Sequence, residues 1–135
     1  MNMNPIKWFY AFLFVLMLPF LTAKADVVDD VTALLKAANT KDLAKYLAPS
    51  VEVTILTEEN TYTRAQTEVA LTEFFSKHNP ASVKIVHRLT SNPNYRFAVI
   101  VLNTDKGSFR TSVSFNKNAA GKFLLSEIRI ETNEE

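Results

Sequence analysis

Thiolate chemistry is closed to this chain, because the 135 residues contain no cysteine, and its two histidines are the first candidates for acid–base or ligand chemistry. His87 is the histidine with the more informative setting. In the stretch SVKIVHRLT, Val83, Ile85, His87 and Leu89 alternate with Lys84, Val86, Arg88 and Thr90. That period of two puts His87 on the apolar side of a strand. A histidine among valines can serve as a catalytic base, touch a ligand, or sit in the core or at its rim with a hydrogen bond. A base needs an orienting partner within reach, and the sequence must supply one.

The chain around His87 reads as four consecutive strands. SVKIVHRLT turns at SNPN, YRFAVIVLNT turns at DKG, SFRTSVSFN turns at KNAAG, and KFLLSEIRIE closes the set. Gly107 suits the left-handed position of the DKG hairpin. Short loops make these strands an antiparallel meander. Turn centres place His87 opposite Phe97, Ile85 opposite Val99, Phe97 opposite Phe115, Val113 opposite Val99 and Ser126, and Phe115 opposite Leu124. One face then carries Val83, Ile85, His87, Phe97, Val99, Val101, Phe109, Thr111, Val113, Phe115, Leu124, Ser126, Ile128 and Ile130. Its apolar character makes it the face that helices cover. The other face carries Lys84, Arg88, Arg96, Arg110, Ser112, Ser114, Glu127, Arg129 and Glu131, an ordinary solvated face with four arginines.

Three polar side chains lie on the covered face: His87, Thr111 and Ser126. They fall in different cross-strand rows and no carboxylate joins them. Tyr46 and Tyr62 lie outside the meander and are the groups that could reach His87. With no partner on the sheet, His87 is expected first as a hydrogen-bonded core or rim residue; these five residues are the candidate ligand contacts, and no catalytic residue is expected. Two histidines without Cys/His/carboxylate spacing do not form a metal site. Only Gly107 and Gly121 are present, so there is no phosphate-cradling loop, and no cofactor is expected.

The first 25 residues read differently. MNMNPIK ends in a lysine, WFYAFLFVLMLPFLT is apolar throughout, and AKA places small residues at the positions a signal peptidase reads. This is the layout of a Sec signal peptide. The apolar run is short for a membrane span. The expectation is residues 1–25 as signal peptide, a single domain over 26–135, and a periplasmic or secreted product with no membrane attachment after cleavage. A net charge of +1 leaves no electrostatic footprint for nucleic acid.

The first half of that domain reads as helix, helix, strand pair and helix. In DVVDDVTALLKAAN, Val27, Val28, Val31, Leu34, Leu35 and Ala38 form one stripe, with Asp29 and Asp30 in the first turn. TKDLAKYLAP is a short helix with Thr40 as its cap and Pro49 as its stop. SVEVTILT alternates as a strand, EEN turns, and TYT returns. TRAQTEVALTEFFSKH is a helix opened by a Thr63–Gln66 capping box, with Leu71, Phe74, Phe75 and His78 on one face. The expected fold is α+β: three helices on a curved, mostly antiparallel sheet of about six strands, in the order α-α-β-β-α-β-β-β-β. Val27, Val31, Leu34, Leu35, Phe74, Phe75, Phe97, Val99, Val113 and Ile128 are the expected core.

That order resembles the nuclear transport factor 2-like cone shared with ketosteroid isomerases and SnoaL-like proteins. The segments DLAKYLAPSVEVTIL, YTRAQTEVALTEFFSKHNPASVKIVH and GKFLLSEIRIE resemble the domain of unknown function 4783 family of small exported bacterial proteins, found chiefly in Bacteroidetes-type bacteria. The likeness spans Asp26 to Glu131 and brings no assigned activity. Ketosteroid isomerases use an acidic base and a tyrosine–acid pair in the cone, and the inferred sheet floor here carries no such acids. The expected function is therefore a non-catalytic module that binds a small apolar ligand or a protein. The alternatives are an isomerase or cyclase, with Glu52, Glu58 or Glu68 turned into the cone, and a structural homodimer through the exposed sheet face.

Overall fold

The computed structural model describes residues 26–134. The signal-peptide expectation lies outside them. Helix α1 (Val27–Lys36) is followed by a four-residue α2 (Thr40–Leu43) and a 3-10 turn (Ala44–Tyr46). Strands β1 (Leu47–Ile55) and β2 (Glu58–Thr63) form a hairpin, and α3 (Arg64–Lys77) leads into the meander β3 (Pro80–Leu89), β4 (Tyr95–Thr104), β5 (Gly107–Lys117) and β6 (Phe123–Thr132). The six strands form one curved sheet in the order β2-β1-β6-β5-β4-β3, antiparallel except for β1 beside β6. Helix α1 packs on β3 and β4, and α3 on β1 and β2. The α+β architecture read from the sequence is the architecture found. Among the described residues no helix is long and apolar enough to cross a membrane.

Local chemistry explains the element ends. Thr63 Oγ1 accepts from Gln66 N at 3.2 Å, and Gln66 Oε1 accepts from Thr63 N at 2.9 Å, so the capping box starts α3. Asn39, rather than Thr40, caps α2, through its Oδ1 and Asp42 N at 3.1 Å. Pro49 does not stop a helix. It lies within β1, where the β1–β6 pairing breaks between Leu47 and Glu52, as a residue without an N–H must interrupt a ladder. The hairpin turns at Leu56–Thr57, not at Glu58–Asn60, and Leu56 takes φ 58. Leucine rarely adopts that conformation, so the turn carries no sequence signal.

The covered face is Ala98, Ile100 and Leu102 on β4, Phe109, Thr111, Val113 and Phe115 on β5, and Leu125, Ile128 and Ile130 on β6, all buried. The expected register therefore fails on β4 by one residue. Val99 pairs with Ser112 on the outer face and Phe97 with Ser114, although Val99 is still buried by its neighbours. FAVIVL is apolar at every position, so alternation cannot tell its two faces apart. On β6 a bulge opposite Ser114 and Phe115 brings Leu125 inward in place of Leu124 and leaves Ser126 at the irregularity. Val28 is buried where Val27 was expected to be, and Val27 and Leu34 only flank the core.

The change with most consequence is a bulge in β3. Ile85 pairs with Ile100 but His87 pairs with Val99, leaving Val86 unpaired. The extra residue inverts the rest of the strand. His87 moves to the outer face and is exposed, with its ring edge-on to Phe97 at 6.2 Å. Arg88 moves to the helix side, opposite Ala98. Arg96 lies there as well, opposite Phe115, its guanidinium 4.5 Å above the Phe123 ring. Of the four arginines assigned to the outer face, only Arg110 and Arg129 stand on it.

Candidate functional site

The expected contacts do not come together. His87 is on the outer face, and Thr111 is fully buried in the core. Tyr46 sits half-buried in the 3-10 turn, where burial and then the Asp30 carboxylate push its phenol upward. Ser126 lies in the β5–β6 bulge, where its Oγ accepts from Asn116 Nδ2 at 2.7 Å and donates to the Ser114 carbonyl at 3.3 Å. Of the five, Tyr62 lines the cleft between the β1–β2 hairpin and α3.

That cleft, of about 250 Å³, opens between the β1–β2 hairpin and the second half of α3. Val53 and Ile55 of β1, Ala70 and Phe74 of α3 make its apolar wall. Glu58, Asn60 and Tyr62 enter from β2 because residues two apart share a strand face. Glu73 and Lys77 enter from α3, spaced four apart, and pair at 3.3 Å. His78 closes the cleft end. Its backbone N–H and its Nδ1 both reach the Phe74 carbonyl, at 3.0 and 2.9 Å. A carbonyl only accepts, so Nδ1 carries the hydrogen and Nε2 is the acceptor of the neutral ring. The imidazole stacks on Phe74 at 4.2 Å, and Phe109 meets both rings edge-on, at 5.3 and 5.1 Å.

The sequence offered a signal for this site that the misplaced turn concealed. With Glu58–Asn60 taken as a turn, their alternation with Tyr62 is lost. Once β2 begins at Glu58, residues 58, 60 and 62 align against 70, 73, 74 and 77, one face of α3.

A second, open groove crosses the outer face over β2, β1 and β6, lined by Glu52, Thr54, Glu59, Thr61, Glu127 and Arg129. Glu52 and Glu127 are direct cross-strand partners. Burial, then hydrogen bonding and repulsion from Glu52, raise the Glu127 carboxyl. Among the described residues no group of three or more histidine or acidic side chains could hold a metal ion.

Helices gathered on one face of a curved six-stranded sheet define the nuclear transport factor 2-like cone. The chain belongs to the family described as domain of unknown function DUF4783, whose model matches residues 28–131. It is similar to a DUF4783 family protein of Bacteroides uniformis, with 27% identity over 82% of this chain and 100% of that one, at a TM-score of 0.77. A second, from Bacteroides ovatus, has 23% identity over 78% and 94%, at a TM-score of 0.73. A third, from Bacteroides fragilis, has 26% identity over 76% and 95%, at a TM-score of 0.71. No curated protein matches the chain.

Proposed function

We propose that the protein is an exported, non-catalytic binding module whose site is the cleft between the β1–β2 hairpin and α3. The observation that carries this reading is the cleft itself: an apolar wall of Val53, Ile55, Ala70 and Phe74 with polar groups confined to the rim. Such a wall removes apolar surface from water, and a few rim groups set orientation. Glu58, Tyr62 and His78 share the cleft, which is what favours an isomerase-type alternative. Binding is the better reading because Glu58 and Glu73 stand exposed at the rim, whereas abstraction of a proton from carbon relies on a carboxylate in a site closed to water.

The test is native mass spectrometry of the protein purified from its own host, alongside Ala70→Phe. Phenylalanine at position 70 fills the cleft from a half-buried helix position. Adduct mass on the natural protein and none on the variant supports the reading. The same adducts on both would place binding elsewhere. N-terminal sequencing of that material should begin at Asp26, and a cytosolic protein beginning at Met1 would refute export.

The outer sheet face favours a second role, as a homodimer interface. Val86 and Leu89 are exposed at 45% and 40% beside Phe97 and Val101, while acids gather across the sheet at Glu52, Glu59 and Glu127. A two-fold-related copy would set Lys84 and Arg110 of one subunit against those acids. Sedimentation at high concentration giving only monomer would exclude it.

A further inference from the structure

The cleft continues along an open sheet edge. Among the described residues strand β2 ends the sheet, and five of its six residues are exposed. Two independent contacts fix which of its backbone groups face outward. The Thr63 N–H donates to Gln66 Oε1 and the Thr63 carbonyl accepts from Thr67 Oγ1, so Thr63 turns away from β1. Leu56 N donates to the Ile130 carbonyl, so the even residues of β1 bond to β6 and the odd ones, Val51, Val53 and Ile55, bond to Tyr62, Asn60 and Glu58. By alternation Glu59 and Thr61 point their N–H and C=O groups out from the sheet.

The two edges are built differently. The far edge, β3, starts with Pro80, carries Lys84, and is bulged in two places. Those are the devices that prevent another strand from adding. The β2 edge has no proline, no lysine and an unbroken register. Its charges are Glu58 and Glu59, which repel a second copy of the same edge and attract a basic strand. Beside it, Val69 of α3 is exposed at 67%, in a shallow apolar trough with Tyr62, Ala65 and Ala70 that runs into the cleft. The cleft lining holds two carboxylates, Glu58 and Glu73, against Lys77, which Glu73 already holds.

We propose that this edge and cleft together receive an extended peptide segment of a partner protein, added as a strand to β2. Its backbone pairs with Glu59 and Thr61. One apolar side chain enters the cleft beside Asn60 and Tyr62, and a lysine or arginine two residues away meets Glu58 or Glu73. The spacing follows because alternate residues of the added strand face α3. This rests on the cleft reading above and specifies its occupant.

A random twelve-residue peptide library displayed on phage, selected on the mature protein, provides the probe. Enriched peptides should share an apolar residue with a basic residue two positions away, and should slow amide exchange at Glu59 and Thr61. Methylating one pairing backbone nitrogen of such a peptide should weaken binding by about tenfold, the loss of one hydrogen bond. Thr61→Pro should abolish binding with an unchanged melt, because it removes an N–H that β1 does not use and edge strands tolerate proline. Full binding of the methylated peptide overturns strand addition, and full binding to Thr61→Pro does the same. If Ala70→Phe still blocks those peptides, the cleft reading survives. Unchanged binding to Ala70→Phe would remove the cleft reading as well. No enrichment over an unrelated protein overturns the peptide proposal and leaves the small-molecule test standing.

Discussion

Arg88 Nη2 donates to Asp29 Oδ1 at 2.6 Å, and Arg88 Nη1 to Asp29 Oδ2 at 3.2 Å, a two-pronged pair that joins β3 to the first turn of α1 across 59 positions. Asp26 lies 3.7 Å from Arg88 and 3.9 Å from Arg96, so both arginines meet the acidic start of α1. The contact exists only because the β3 bulge turns Arg88 toward the helices.

Arg88→Met should lower stability by about 0.5–1 kcal/mol, the upper range for a partly exposed but bidentate pair. The hydrogen bond and charge of Arg88 hold the Asp29 carboxyl below its ordinary value, working against a smaller cost of burial. A carboxylate with a depressed folded pKa adds stability above its unfolded pKa and loses it as pH falls through the folded one. Chemical denaturation of Asp29→Asn and the natural protein should therefore differ at neutral pH and converge in acid. A difference that persists at low pH would show that the pair is not its source.

Glu127→Gln should have the opposite sign. The Glu127 carboxyl is raised by burial and by Glu52, so the natural protein has its full stability from this site below the unfolded glutamate pKa and loses it as pH rises through the raised value. Removing one of two facing carboxylates should raise stability at neutral pH by about 0.5 kcal/mol, within the range for cross-strand like charges. Melts at acid and neutral pH should show the gain only at neutral pH.

Thr111→Val should stabilise the fold by about 1 kcal/mol. The Thr111 hydroxyl is fully buried with no hydrogen-bond partner among the described residues, and replacing it with a methyl of similar size removes that desolvation cost. A lower melting temperature for the variant would mean that the hydroxyl is satisfied in solution.

His87→Gln should change stability by less than about 0.5 kcal/mol, the ordinary range for an exposed position. From the inner-face reading alone, the loss would be that of a buried polar contact, about 1–2 kcal/mol. Urea denaturation of the variant separates the two placements.

Composition and periodicity by themselves determined the element types, their order and the fold class. The capping box at Thr63–Gln66 was legible because both partners lie within one helical turn. The alternation of β5 was legible because Phe109, Val113 and Phe115 have polar neighbours. Tertiary structure decided the rest, wherever local patterning is silent. FAVIVL has no polar face, so only pairing with β3 and β5 could choose Ala98, Ile100 and Leu102 for the core. A bulge adds one residue without changing composition, so nothing in SVKIVHRLT marks Val86 as the point where His87 and Arg88 exchange faces. The cleft joins residues 53–62 to residues 70–78 through a turn at Leu56 that leucine seldom makes. Its geometry is set by how α3 lies on the hairpin, a long-range packing result that no local propensity encodes.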